Sequence, residues 1–240
     1  MSKKAIIIGA SAGIGRALAI ELGKNGYSLG LTARRKEMLE SLQKEIPTPS
    51  WIQVMDVSNT EESRAQLADL VEKMGGMDLL ILNAAVGHTG LTWEENKEMI
   101  TVNTLGNVAL GDFGVHYFRK QKSGHLVGIS SVAQHRAFRT AIVYSATKSF
   151  LSAYLQGVRH FFTFKKYPVT VTDIRPGYVE TFMTAANDPK SMFWVSTPEV
   201  AAHYIRRAIE KKKKVAYITP RWWLAGKLMQ YLPDWLAHRF

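Results

Sequence analysis

Short apolar runs alternate with longer amphipathic stretches along the whole chain. Strand-like runs rich in Ile, Leu and Val fall at 5–9, 28–33, 51–55, 78–82, 125–130, 169–174 and 215–218. Stretches with apolar positions three and four residues apart fall at 14–25, 35–45, 60–74, 97–120, 144–164 and 198–211, and these predict helices. The first run, Ala5-Ile6-Ile7-Ile8, is apolar at every position, as a strand must be when helices cover both faces of its sheet. Strand and helix in regular alternation predict an α/β fold, a doubly wound parallel sheet of about seven strands. No repeat, low-complexity tract or Pro/Gly-rich linker interrupts the pattern. Residues 1–219 are therefore expected to form one domain, followed by an amphipathic tail over 220–240. Ligands of such sheets bind beyond the carboxyl ends of the strands, so candidate chemistry is sought in those loops.

The first strand runs into Gly9-Ala10-Ser11-Ala12-Gly13-Ile14-Gly15 and then a helix. Glycines there permit a tight turn and a close backbone approach to a pyrophosphate, whose charge a helix N-terminus stabilises. Gly9, Ser11, Gly13, Ile14 and Gly15 are accordingly candidate dinucleotide contacts. The second strand ends Leu31-Thr32-Ala33-Arg34-Arg35, without the carboxylate that would hold a ribose 2′-hydroxyl. Arg34 can instead fork onto a 2′-phosphate, which selects NADP(H) over NAD(H). Arg35 either shares that contact or is a solvated residue of the helix's first turn. Asp56-Val57, after the third strand, can hold an adenine, or Asp56 can cap the helix starting near Thr60. Asn83-Ala84-Ala85, after the fourth strand, either lines the cofactor ribose or makes a plain strand-to-loop turn.

Tyr144 and Lys148 in Tyr144-Ser145-Ala146-Thr147-Lys148 lie one helical turn apart on the same face. A free phenol titrates near 10, and a neighbouring ammonium, together with an oxidised nicotinamide, favours the phenolate and lowers that value. Ser130-Ser131, at the end of the fifth strand, brings a hydroxyl that can polarise a carbonyl beside the phenol.

Together these pieces resemble a short-chain dehydrogenase/reductase of the single-domain type, over nearly the whole chain. The matching elements are Gly9, Gly13 and Gly15, Asp56-Val57, Asn83-Ala84-Ala85, Asn103, Ser131, Tyr144 with Lys148, and Arg175-Pro176-Gly177 with Thr181. The resemblance implies a Rossmann-like fold and a reductase in which Tyr144 is the general acid and Ser131 orients the carbonyl. It implies that Lys148 binds the nicotinamide ribose and lowers the tyrosine pKa, and that Asn103 holds a water of a proton relay. Pro176 and Gly177 would shape the nicotinamide site, with Val179 and Thr181 at the carboxamide. Such relatives pair through their two long helices, here near 97–120 and 144–164, which implies a homodimer or homotetramer. The chain departs from the family pattern where Asn83-Ala84-Ala85-Val86 replaces Asn-Asn-Ala-Gly and where Ile8 precedes the first glycine.

The expected reaction is hydride transfer between NADPH and a ketone or other carbonyl, reversibly a secondary alcohol. Its alternatives are a non-catalytic NADPH-sensing or partner-binding module, for which an intact proton donor has no use, and a nucleotide-sugar epimerase or dehydratase. The latter carries a different glycine spacing. After Pro176-Gly177, the residues Tyr178, Phe182, Met183, Met192, Phe193 and Trp194 suggest an apolar substrate lid, or ordinary lid-to-core packing. Val86, His88, Gln134, His135 and Phe138 fall on neighbouring loops, and no set of residues has the spacing of metal ligands.

A formal net charge of +11 asks for a negative partner. Nucleic acid, an anionic membrane surface and a phosphorylated cofactor are the options, and no nucleic-acid motif accompanies the charge. The densest run, Lys211–Lys214, follows a helix whose dipole it opposes favourably. Three of the six tryptophans lie in the tail, where Leu224, Leu228, Tyr231, Leu232, Trp235 and Leu236 recur at near-helical spacing among Arg221, Lys227 and Arg239. That pattern suits a peripheral membrane contact through 221–240, or a helix packed on its own domain or a second subunit. With no cysteine for disulfides, no signal-peptide pattern and no run long enough to span a bilayer, the expected location is the cytoplasm, peripheral to a membrane if the tail binds one.

Overall fold

A computed structural model describes residues 2–89, 92–184, 192–231, 233 and 235. Strands β1 (Lys4–Ile8), β2 (Ser28–Ala33), β3 (Ser50–Val54), β4 (Leu79–Leu82), β5 (Gly124–Ile129), β6 (Val169–Pro176) and β7 (Val215–Ile218) form one seven-stranded sheet in the order β3-β2-β1-β4-β5-β6-β7. Every pairing is parallel. The helices between them are α1 (Gly13–Lys24), α2 (Lys36–Glu45), α3 (Thr60–Lys73), α4 (Trp93–Ile100), α5 (Asn107–Gln121), α6 (Ile142–Phe164) and α7 (Pro198–Glu210), with α8 (Trp222–Tyr231) after β7.

Successive strand residues face opposite ways, and this sorts the core into two layers. Ile7, Leu29, Leu31, Ile81, Val127 and Ile174 pack with α1, α2 and α7 on one face. Ile6, Ile8, Leu80, Leu82, Leu126 and Val171 pack with α3, α5 and α6 on the other. Each fully buried Leu or Ile contributes on the order of 1.5–3 kcal/mol, which is why apolar residues dominate β1 and β4 on both faces. The chain winds outward from β1 to β3, then returns past β1 to β4. The β1–β4 junction is therefore the point where strand order reverses, and the loops after both strands border one crevice.

The predicted helix over 97–120 departs from expectation. It begins earlier, at Trp93, and between α4 and α5 the chain makes a π-helical turn, Thr101–Gly106. The local sequence is helical, but side-chain bonds to other elements open the turn. Asn103 donates to the Val86 carbonyl at 2.8 Å and accepts from the Val86 amide at 2.8 Å. Asn107 donates to the Ala84 carbonyl at 3.1 Å and to the Asn103 carbonyl at 3.0 Å. Such single π turns recur at functional sites.

The tail contains α8, one face of which is packed on the domain. Trp222 is buried and Gly226 abuts His135 and Tyr217, while Arg136 donates to the Met229 carbonyl at 3.2 Å. Leu232, Leu236 and Arg239 lie outside the described residues.

Candidate active site

A cleft of about 1040 Å³ lies over the carboxyl ends of β1 and β4. Its floor is the glycine loop. Gly9 has a φ of +86°, and a Cβ there would sit 2.8 Å from the Ala84 Cα. A Cβ on Gly15 would sit 2.1 Å from the Gly9 carbonyl oxygen. These two glycines are dictated by backbone conformation and by close approach. Asn83 closes the loop by donating from Nδ2 to the Gly9 carbonyl at 2.7 Å. Helix α1 then starts behind Ala12, with no side-chain cap and no acid in its first turn. Its free amides and the positive end of its dipole are left for an anion, as a bound pyrophosphate requires. Ser11, Gly13, Ile14, Asn83, Ala84 and Ala85 all line this part of the cleft.

Arg34 and Arg35 border the cleft at the end of β2, both exposed, and no acid follows them within the loop. Arg35 reaches Ser11 Oγ at 3.2 Å, which ties it to the glycine loop. Arg34 lies 4.0 Å from Glu98 Oε1, and the other oxygen of Glu98 takes His88 Nε2 at 2.8 Å. Glu98 escapes sequence reasoning because α4 presents it across the cleft from β2, far from Arg34 in sequence. Asp56 and Val57 also line the cleft. Asp56 does not cap α3, whose N-cap is Asn59; its Oδ1 accepts from the Ser58 amide at 3.0 Å and the Ser58 hydroxyl at 2.8 Å.

Ser131, Tyr144 and Lys148 meet at the other end of the same cleft. Ser131 lies two residues beyond β5, where its Oγ caps a short 3₁₀ turn by accepting from the Ala133 amide at 3.1 Å. Tyr144 stands in the first turn of α6, and the Lys148 ammonium lies 5.5 Å from its ring centroid. Lys148 is buried and donates to the Ile129 carbonyl at 3.0 Å, which fixes it beneath the tyrosine. Burial lowers the lysine pKa to about 8, with Asp173 acting in the opposite direction. Burial pushes the Tyr144 phenol up to about 12, partly offset by the Ser131 hydroxyl. Burial is the larger influence on the phenol by itself, and the ammonium sits over the ring face. Asn103 does approach the group, through Nδ2 donating to Thr147 Oγ1 at 3.1 Å, but its side chain is fully engaged by Thr147 and Val86.

Behind Ser131, Tyr144 and Lys148 lies a buried polar cluster. Asp173, wholly buried in β6, accepts from Ser130 Oγ, from Ser152 Oγ at 2.7 Å and from Arg175 Nε at 2.7 Å. Ser152 is one turn beyond Lys148 on α6, so the cluster braces both the β5 end and the lysine. A charged residue inside the apolar run of β6 was the sequence signal for it.

The sequence matches the short chain dehydrogenase family over residues 3–191. The chain belongs to that family. A relative described as an uncharacterized oxidoreductase, from Myxococcus xanthus, is 32% identical over 203 residues, covering 81% of this chain and 79% of its own. An alcohol dehydrogenase from the archaeon Thermococcus sibiricus, solved with 5-hydroxy-NADP, superposes with a TM-score of 0.78 at 28% identity, over 90% of this chain and 95% of the other. A 3-ketoacyl-(acyl-carrier-protein) reductase from Brucella melitensis, solved with NADH, superposes with a TM-score of 0.80 at 20% identity, over 90% and 95% of the two chains, a likeness of fold. This short-chain dehydrogenase is thus an oxidoreductase of the type acting between CH–OH and C=O.

In this dehydrogenase the lid divides in two. Pro176, Gly177, Val179, Thr181, Phe182 and Met183 line the cleft. Tyr178, Phe193 and Trp194 instead pack on Trp222 of α8, at ring separations of 5.7, 5.0 and 5.7 Å. Gly177 lies flat on that indole, where a Cβ would fall 1.9 Å from the ring. Val86 and His88 also line the cleft, whereas His135 turns away to Tyr217 at 2.7 Å. Among the described residues no cluster of His, Cys, Asp or Glu is arranged to hold a metal ion, and no helix is long and apolar enough to cross a membrane.

Proposed function

We propose that the chain is an NADPH-dependent reductase of an apolar ketone or other carbonyl, running in reverse on a secondary alcohol. The observation that carries this reading is the convergence of Ser131, Tyr144 and Lys148 on the cleft floored by the uncapped start of α1. Gly9, Ser11, Gly13, Ile14 and Gly15 would hold the pyrophosphate, Arg34 and Arg35 a 2′-phosphate, Asp56 and Val57 the adenine, and Asn83, Ala84 and Ala85 a ribose. Pro176, Gly177, Val179 and Thr181 would bound the nicotinamide. When bound, NADPH supplies the hydride to the carbonyl carbon. Ser131 donates a hydrogen bond to the carbonyl oxygen, and Tyr144 transfers its phenolic proton to that oxygen as the hydride arrives. Burial favours the protonated form of the Tyr144 phenol, the form that gives up a proton in the reductive direction. Lys148 binds the ribose and stabilises the phenolate left behind. Asn103 holds the π turn in place, and a water held by it would complete a proton relay to Lys148.

Phe182 and Met183 at the cleft favour an apolar substrate. Exposed Leu105, Ile142, Phe150 and Phe164, on the stretch from the π turn to α6, support pairing into a homodimer or homotetramer. We infer a cytoplasmic location, with a peripheral membrane contact argued below. NADPH oxidation at 340 nm across a panel of short ketones, long-chain ketones and 3-oxoacyl thioesters tests the reading. Turnover of the apolar members is expected. NADPH binding with no turnover of any carbonyl would instead favour a cofactor-sensing module.

A further inference from the structure

Helix α8 is apolar on both sides. Trp222 and Gly226 face the domain, while Trp223, Leu224, Leu228 and Tyr231 turn outward and are between 54% and 74% exposed. Trp235 continues the stripe and is equally exposed. A soluble helix normally carries polar residues on that face, and a contiguous apolar patch of this kind marks an interaction surface. Beside the helix, Phe193 and Trp194 of the lid are also exposed and rest on Trp222.

The charge around the patch selects the partner. α8 contains no acidic residue. Lys227 lies on its outer side, Arg221 stacks over Trp194 at 5.3 Å, and Arg139 comes from the loop that packs against α8. The whole chain carries +11. In a two-fold contact with a second copy the patch would meet itself, bringing these cations against their own kind. An anionic lipid surface meets them with opposite charge, and indole and phenol rings suit the interfacial depth.

We propose that the outer face of α8, with Phe193 and Trp194, docks the protein peripherally on an anionic bilayer. The docking face adjoins the cleft, since Trp222 carries the lid residues outside and backs Gly177 inside. Phe182, almost fully exposed, stands at the cleft on the same lid. The substrate class that follows is a carbonyl borne on a long apolar chain held in the bilayer, a consequence that rests on the reductase reading above.

The test is co-sedimentation of the full chain with phosphatidylcholine vesicles, with or without phosphatidylglycerol, in low and high salt. Wild-type protein is expected to pellet with the anionic vesicles at low salt. A Trp223→Ser, Leu228→Ser double variant is expected to bind more than roughly tenfold more weakly. Lys227→Glu should weaken binding by at least about fivefold. All three changed side chains are exposed, and NADPH binding by nicotinamide fluorescence verifies that each variant is folded. Wild-type protein that stays in the supernatant with both vesicle types overturns the proposal. So does a double variant that pellets like wild type, or one that dissociates a dimer in analytical ultracentrifugation without any vesicle binding, which assigns the face to a second copy. Vesicle binding requires no turnover, so docking without NADPH oxidation would count against the reductase reading alone. Where both hold, the wild type should reduce a vesicle-borne long-chain methyl ketone faster than the double variant, with equal rates on a short soluble ketone. Equal rates on both ketones would remove the lipid-borne substrate.

Discussion

Replacing Gly15 by alanine tests the cofactor loop where it is tightest. The new methyl would lie 2.1 Å from the Gly9 carbonyl oxygen and 2.5 Å from Asn83 Nδ2. Those two atoms are joined by the 2.7 Å bond that closes the loop, so the methyl falls on the clip itself. Backbone cannot rotate out of the way, and relief requires the loop to shift. Overpacking of this kind costs about 1–3 kcal/mol, and losing the amide bond adds about 0.5–1.5 kcal/mol. Alanine's better helix propensity returns about 1 kcal/mol. The net destabilisation is about 0.5–3.5 kcal/mol, or a fall in melting temperature of about 1–14 °C for a domain of this size. Displacing the loop should also weaken NADPH binding by at least about tenfold, the equivalent of about 1.4 kcal/mol. Gly157→Ala is the control. That glycine has open space within its own chain where a Cβ would go and lies far from the glycine loop, so alanine should leave cofactor affinity unchanged. Thermal melts followed by circular dichroism and NADPH fluorescence titrations read both effects. A Gly15→Ala protein that melts with wild type and binds NADPH equally well would refute the reasoning about this loop.

Two further outcomes are expected. Arg34→Asp should lower the preference for NADPH over NADH by at least roughly tenfold, since it removes the guanidinium and adds repulsion toward a 2′-phosphate; steady-state kinetics with both cofactors decides it, and an unchanged ratio would shift the assignment away from Arg34. His125 in β5 is buried, bonded to Thr172 Oγ1 at 2.8 Å, and held neutral by burial, which lowers its pKa to about 4. An unfolded imidazole titrates near 6.5, so the native state binds fewer protons and stability falls as pH drops from about 6.5 to about 4, by about 3 kcal/mol from this residue. Melting temperature against pH should therefore flatten across that window in His125→Gln, with the remaining slope due in part to His135, whose pKa is also lowered to about 4. Parallel profiles for wild type and variant would contradict it.

Much of this was legible in the chain because it is locally encoded. Strands apolar at every position, such as Ala5-Ile6-Ile7-Ile8, can only be interior strands of a covered sheet, and the glycine loop and the Tyr144–Lys148 spacing are written in consecutive residues. What was not legible depends on contacts distant in sequence. The 97–120 stretch reads as one helix because nothing in its periodicity shows that Asn103 and Asn107 bond to Val86 and Ala84. Phe193 and Trp194 look like substrate-facing lid residues until Trp222 is known to lie beneath them. Burial also raises the Tyr144 pKa, and the depth of a cleft is a property of the folded chain. In the tail, α8 packs one face on its own domain and leaves the other exposed, a division that the near-helical spacing of its apolar residues does not reveal.

Everything about the proposed reaction turns on Tyr144 as the proton donor. The decisive measurement pairs NADPH binding with single-turnover reduction for the wild type and Tyr144→Phe, using a ketone the wild type turns over. Phenylalanine keeps the ring over Lys148 and removes only the hydroxyl, so cofactor affinity should stay within about twofold while the reduction rate falls by roughly 10²–10⁴. A Tyr144→Phe protein that binds NADPH and still reduces the ketone at a rate near wild type would place the proton donor elsewhere in the cleft and overturn the assignment.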